Sequence, residues 1–188
     1  LEPTTDYTEA QLLSLLKTGD ENAFTRIYKL YWEKLYFIAH KRLQSAEDSK
    51  EIVQNVFFTL WQKREQLDIQ HLPLYLAAMI RYAIYRHLGN EKRREVLIRN
   101  FGITEEKRTA NCFDIDNKQL LDILTQFTNG LQENYRIIFI QHKLMDQPLE
   151  SVAAQLGVSP RTAERYVEKV MSIMRQHLQK LASYHFFL

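Results

Sequence analysis

From Leu149 the chain runs Leu-Glu-Ser-Val-Ala-Ala-Gln-Leu to Gly157, then Val-Ser-Pro, then a helix-period segment from Arg161. A short helix, a turn punctuated by Gly and Pro, and a second helix make a helix-turn-helix plan. Ala153 is small enough for two helices to cross closely, and Gly157 permits the backbone of the turn. The start of the second helix carries Arg161, Thr162, Glu164, Arg165, Glu168 and Lys169. Side chains at that end of a recognition helix reach base edges in a major groove. Arg can address guanine with two hydrogen bonds, and Thr can contact a thymine methyl. Arg161, Arg165 and Lys169 form a row of like charge at i, i+4 and i+8, which makes sense if DNA completes it. The competing reading is a solvated face. Arg161 with Glu164, and Arg165 with Glu168, would each stabilise an exposed helix by about 0.2–0.5 kcal/mol. The run Ser-Pro-Arg-Thr-Ala-Glu-Arg favours DNA.

A second stretch closes a helical segment with Arg81, Arg86, His87, Lys92, Arg93, Arg94 and Arg99, interleaved with Tyr75, Tyr82 and Tyr85. Cations neutralise phosphates and aromatic rings stack on unpaired bases, so this pattern suits single-stranded DNA. A solvated basic face over partly buried tyrosines explains it equally well. A third stretch, Glu51 to Trp61, sets an apolar stripe against a polar face with Asp48, Glu51, Gln54 and Asn55. On composition alone that face is as consistent with bland surface as with a partner.

Catalysis finds no residues. The six histidines (His40, His71, His87, His142, His177 and His185) include no pair at metal-ligand spacing, and there is no HExxH. Cys112 is the single cysteine, which excludes an intrachain disulfide and a cysteine-based cluster. No nucleophile elbow or kinase set is present. The expectation is a protein that is not an enzyme and holds no metal and no cofactor. A formal charge of +2, from 25 basic and 23 acidic residues, is modest for a chain that grips nucleic acid alone. A DNA-binding role would then need help from a partner.

The elements that must position these residues follow from punctuation. Five Gly and four Pro in 188 residues are well under half of the roughly 12% of average usage, too few for the turns of an all-β domain. Those present fall at the borders of helix-period patterns. Thr8 opens a helix over Glu9–Lys17 that stops at Gly19. Asp20 caps a second, with the stripe Phe24, Ile27, Tyr28, Tyr31, Leu35 and Ile38. Ser45 caps a third, with Ile52, Val53, Val56, Phe57, Leu60 and Trp61. Pro73 sits in the first turn of a fourth, with Leu76, Met79, Ile80, Ala83, Ile84 and Leu88. Periodicity fades over 99–117 and returns at Leu120, Leu121, Leu124 and Phe127. A helical stretch Tyr135–Leu144 follows, and a last helix buries Ala163, Val167, Val170, Met174, Leu178 and Leu181. The expected fold is all-α: helical domains over 1–98 and 118–188, a linker over 99–117, and the helix-turn-helix in the second domain. No signal peptide and no membrane-spanning run are expected, and a cytoplasmic, reducing compartment fits the single cysteine.

Taken together, these stretches resemble one family. Glu51-Ile-Val-Gln-Asn-Val-Phe-Phe-Thr-Leu-Trp61 resembles the motif by which sigma factors hold core RNA polymerase, usually DLVQEVFLRLW, with Glu51 for Asp and Asn55 for Glu. Leu74–Arg94 is similar to the helix that reads and melts the −10 element, with Tyr75-Leu76 and Arg81 at matching positions and Tyr82 and Arg86 departing from the common Asn and Asp. Leu131–Gln176 is similar to the domain that reads the −35 element, with Glu164 and Tyr166 where many members are basic. The two-domain layout is that of the extracytoplasmic-function sigma factors, with a flavour similar to those of Bacteroidetes. The resemblance implies promoter-specific initiation with core RNA polymerase and promoter DNA as partners. Core binding would fall to Asp48, Glu51, Gln54 and Asn55. The −10 contacts would be Tyr75, Arg81, Arg86, Arg93 and Arg94, and the −35 contacts Arg161, Thr162, Arg165 and Lys169. It also implies an anti-sigma factor, often membrane-anchored, as a further partner. The rival functions are a stand-alone helix-turn-helix regulator and a helical protein-binding adaptor.

Overall fold

The computed structural model describes residues 7–101 and 115–185, with some side chains within the helices left out. Among the described residues there are eight α-helices and no strand, the all-α class expected from the sequence. The chain divides into two compact units, Leu1–Lys118 and Gln119–Leu188.

The first unit packs α1 (Glu9–Lys17), α2 (Glu21–Leu43), α3 (Ala46–Lys63) and α4 (Leu72–Phe101) together. Each of the first three starts at a side-chain cap. Thr8 and Gln11 form a capping box, with the Gln11 N–H donating to Thr8 Oγ1 at 3.3 Å and the Thr8 N–H to Gln11 Oε1 at 2.8 Å. Asp20 Oδ1 accepts from the Ala23 N–H at 2.7 Å, and Ser45 Oγ from the Asp48 N–H at 3.3 Å. At the end of α1, Gly19 takes φ +85°. Its N–H donates to Leu16 O, and the Asp20 N–H donates to Leu15 O. These are the two bonds of a Schellman stop, so one residue pair ends α1 and begins α2.

The core of this unit is the first nine residues of α4. Every side chain from Leu72 to Ile80 is buried, Pro73 included, with Leu76, Ala77 and Ile80 at 0% exposure. A helix enclosed on all sides cannot be amphipathic there. Ile27, Leu35 and Ile38 of α2 and Val53, Val56 and Leu60 of α3 supply the enclosing faces. The start of α4 is capped from another helix. Glu9 on α1 accepts the Leu72 N–H at 2.7 Å, placing a carboxylate on one of the orphan donors at the positive end of α4. Past Ile84, the described side chains of α4 are half-buried or exposed. Leu88, expected in the buried stripe, is 42% exposed.

The second unit contains α5 (Ile115–Asn129), α6 (Glu133–Ile138) running into a π-helical turn Phe139–Leu144, α7 (Leu149–Gln155) and α8 (Pro160–His185). Phe127 of α5 meets Phe139 edge-on at 5.2 Å and lies 5.6 Å from the His177 ring of α8. Ile138, Val152, Ala153 and Ala163 form a buried cluster around which α6, α7 and α8 pack. The interval 102–114, most of the expected linker, lies outside the described residues, as do the side chains of Leu178 and Leu181. Helix α4 itself runs on to Phe101, and α5 begins at Ile115.

Glu9 links two measurable properties. Burial pushes the Tyr31 phenol up to about 12, and the Glu9 charge adds to the effect. The folded value lies above the ordinary value of about 10, so this contribution to stability is whole below pH 10 and is lost as pH rises through about 12. Ultraviolet titration should show a late tyrosine that Tyr31→Phe removes. Glu9→Ala should cost about 0.5–2 kcal/mol in denaturant unfolding through the lost cap, and should bring the late tyrosine down.

Candidate functional site

Three surfaces carry the residues singled out above. On α3, Ile52, Val53, Val56, Phe57 and Leu60 are buried and Trp61 packs 5.0 Å from Phe24, which turns the opposite face outward. Glu51 and Gln54 are exposed on it, while Asn55 and Asp48 are half-buried at its edge. Asp48 Oδ1 lies 4.0 Å from His87 Nε2 of α4, an ion pair whenever the imidazole is protonated. Asp48 therefore joins α3 to α4 as well as bordering the face. At the face's centre is Phe58, 62% exposed, one turn beyond Gln54 and two beyond Glu51. Sequence reasoning passed over it, although the signal was present. Of the neighbours Phe57 and Phe58, only Phe57 falls on the 53–56–57–60 stripe, so Phe58 has to point away.

On α4 the structure corrects one assignment. Tyr75 is 6% exposed and belongs to the core, because it sits within the enclosed segment Leu72–Ile80. It offers no ring to a base. Arg81, Tyr82 and Arg86 are half-buried, and both arginines are engaged within the protein. Lys92 and Arg93 are exposed; the side chain of Arg94 lies outside the described residues. Among the described aromatic side chains of this helix, Tyr85 is the exposed one, at 61%. The helix thus changes from core to basic surface over the turn Arg81–Tyr85.

In the second unit, α7 and α8 meet across small side chains, Ala153 at 1% and Ala163 at 0% exposure. The turn between them is another Schellman stop: the Gly157 N–H donates to Ala154 O at 3.1 Å and the Val158 N–H to Ala153 O at 3.0 Å. Gly157 takes φ +64°, with open space where a Cβ would lie. Ser159 Oγ accepts the Thr162 N–H at 3.2 Å and pairs with the Thr162 hydroxyl at 2.9 Å, fixing the first turn of α8. Arg161, Arg165 and Lys169 are exposed beside Glu164 and Glu168, and Thr162 is half-buried. Tyr166 meets Tyr135 of α6 edge-on at 5.1 Å. Around this pair an open groove of about 570 Å³ is lined by Tyr135, Thr162, Arg165, Tyr166, Glu168 and Lys169. The groove gives α8 a concave, polar flank rather than a flat face. Among the described residues no His, Cys, Asp and Glu group could hold a metal ion, and no helix is long and apolar enough to cross a membrane.

Residues 27–94 match the family described as Sigma-70 region 2. The matched segment holds most of α2, all of α3 and α4 from Leu72 to Arg94. The solved structure of CnrH in complex with the cytosolic domain of CnrY is similar over 90% of this chain and 96% of that one, at 14% identity and a TM-score of 0.42. No curated protein matches the chain. The match lies wholly within the first unit and bears on residues 27–94 alone.

The turn before α8 gives a test of its own. A Cβ at position 157 meets nothing, so substitution there costs only the backbone conformation. Gly157→Ala should destabilise the second unit by about 1–2 kcal/mol, and Gly157→Asn by less, because Asn tolerates the left-handed region. Chemical unfolding followed in that unit checks both.

Proposed function

We propose that the chain is a two-domain sigma factor of the extracytoplasmic-function type. Its first unit docks on core RNA polymerase through the outer face of α3, with Glu51 and Gln54 supplying polar contacts and Phe58 the apolar anchor. Asn55 borders that contact, and Asp48 holds α3 against α4. The basic part of α4, with the exposed Arg93, its sequence neighbour Arg94 and the partly covered Arg81 and Arg86, engages the −10 region as it opens. The helix-turn-helix of the second unit reads the −35 region. There Arg165 contacts a base edge, Arg161 and Lys169 set the helix on phosphates, and Thr162 fixes the helix start. The protein acts as a binding subunit in the cytoplasm without a cofactor. An anti-sigma factor, membrane-anchored or not, is the partner that would restrain it.

One observation supports this reading most. The segment that resembles the polymerase-binding motif is folded with its apolar stripe sealed and Glu51, Gln54 and Phe58 together on the open side. An exposed phenylalanine ringed by polar side chains has the make-up of an interface anchor. A stand-alone regulator has no use for that face, and an adaptor has none for the basic half of α4.

Transcription reconstituted with purified core polymerase is the direct test. The chain should bind promoter DNA weakly alone and strongly with core, and should yield start-specific transcripts. Phe58→Ala, and separately Glu51→Lys with Gln54→Ala, should each weaken core capture by roughly tenfold or more. Stability should hold within about 0.5 kcal/mol, since the residues are on the surface. Wild-type capture by these variants would remove the face from the mechanism. In promoter-library transcription, Arg165→Ala should relax preference at one or two −35 positions at a cost of about 1–3 kcal/mol. Lys169→Ala should weaken all sequences alike. The opposite pattern would exchange the two roles.

A further inference from the structure

We propose that Glu164 is a specificity residue of α8, its carboxylate accepting a hydrogen bond from the 4-amino group of a cytosine in the −35 major groove; this rests on the sigma-factor reading above. At about 3.6 residues per turn, Arg161, Arg165 and Lys169 form one exposed row along α8, opposite the buried Ala163 and Val170. Glu164 and Glu168 form a second exposed row beside it. The two acids are not equivalent. Glu168 lines the Tyr135–Tyr166 groove together with Arg165 and Lys169, cations that offset its charge, whereas Glu164 lies outside that groove. Two ordinary reasons for an exposed acid on a helix fail for Glu164. The ion pair with Arg161, which a solvated face would use, does not form among the described residues. The helix dipole favours acids in the first turn, and Glu164, the fifth residue of α8, lies past it.

The chemistry of the groove floor then selects the partner. A carboxylate on a helix that enters a major groove is repelled by the phosphates of both strands, so only a base edge can receive it. Guanine presents N7 and O6, both acceptors, and thymine presents O4 and a methyl group, so neither can donate to it. Adenine presents its N6 amino group beside the N7 acceptor. Cytosine presents an amino donor with no acceptor next to it, and a carboxylate accepting from cytosine N4 is a pairing that B-DNA geometry allows. Glu164 is near the end of the helix that reaches base edges, and the basic row beside it supplies the attraction that an acid forfeits. It therefore works by refusal. Guanine and thymine leave its charge against acceptors, and that penalty falls on the wrong sequences.

The test uses holoenzyme, the chain with core RNA polymerase, on templates randomised over the −35 region. The wild type should prefer C over G or T at one −35 position by roughly 5- to 100-fold. Glu164→Ala should abolish that preference. Glu164→Gln should move it from C toward A, because a carboxamide pairs with both N6 and N7 of adenine. Replacing the favoured cytosine by 2-pyrimidinone, which has no 4-amino group, should cost the wild type that same factor relative to Glu164→Ala. A merely solvated side chain would change output alike on every sequence, and that result overturns the proposal. So does a wild type indifferent to C throughout the −35 region, a Glu164→Ala that keeps the preference, or a 2-pyrimidinone template that wild type and Glu164→Ala feel equally. A wild type that makes no start-specific transcript with core overturns the sigma-factor reading and this role with it, whereas an active wild type with any of the preceding results overturns the role of Glu164 alone.

Discussion

Nine consecutive side chains of α4, Leu72 to Ile80, are buried, and most of the first unit follows from enclosing them. A helix wrapped on all sides needs three neighbours, which α1, α2 and α3 provide or brace. It cannot slide or rotate without exposing Leu, Ile or Met, each of which would lose about 1.5–3 kcal/mol of burial. Its N-terminus is capped from outside, by Glu9, because core residues occupy its first turn. The rest of α4 continues from this clamped segment of nine residues. The basic residues of α4 and the polar face of α3 are in this way held to one frame, with Asp48 and His87 as the joint between them.

That constraint also decides what the sequence could reveal. Caps and stops were legible because they are local: Thr8, Asp20, Ser45 and the glycines at 19 and 157 act within a few residues of themselves. The stripes of α2 and α3 were legible because each helix buries one side. Helix α4 buries every side, so periodicity carries no phase there, and Tyr75 looked as available as Tyr85. Resemblance to a family aligns positions but not exposure, which is why it pointed to Tyr75 and missed the open ring of Tyr85. Leu88 was misjudged for the complementary reason: an apolar residue in register is buried only if a neighbour reaches that far. The π-helical turn at Phe139–Leu144 left no trace in the pattern, since one widened turn barely disturbs a helical period.

The two basic surfaces differ in kind. Along α8, Arg161, Arg165 and Lys169 alternate with Glu164 and Glu168, so the field outside the helix is weak and what remains is geometry. Side chains set by Ser159 and the Tyr135–Tyr166 contact suit reading, where the wrong base must be refused. The exposed end of α4 has Lys92 and Arg93 with little acid beside them, which suits gripping a strand whatever its sequence. Reading and opening promoter DNA ask for these two different surfaces, and the chain keeps them in separate units.

A net charge of +2 bounds what such surfaces can do unaided. Affinity for DNA scales with the number of phosphates neutralised, and few of the basic side chains seen here are both exposed and unopposed by a carboxylate. Enough remains to orient the chain on DNA once another protein has brought it there, but too little to hold it against competing salt. On the function proposed above, DNA binding is then conditional on the outer face of α3. With Phe58 exposed on that face, a partner that buried it would displace the polymerase and, with it, the affinity for DNA. One patch of α3 would then gate both activities, and restraint by a competing protein would need no contact with the DNA-binding surfaces at all.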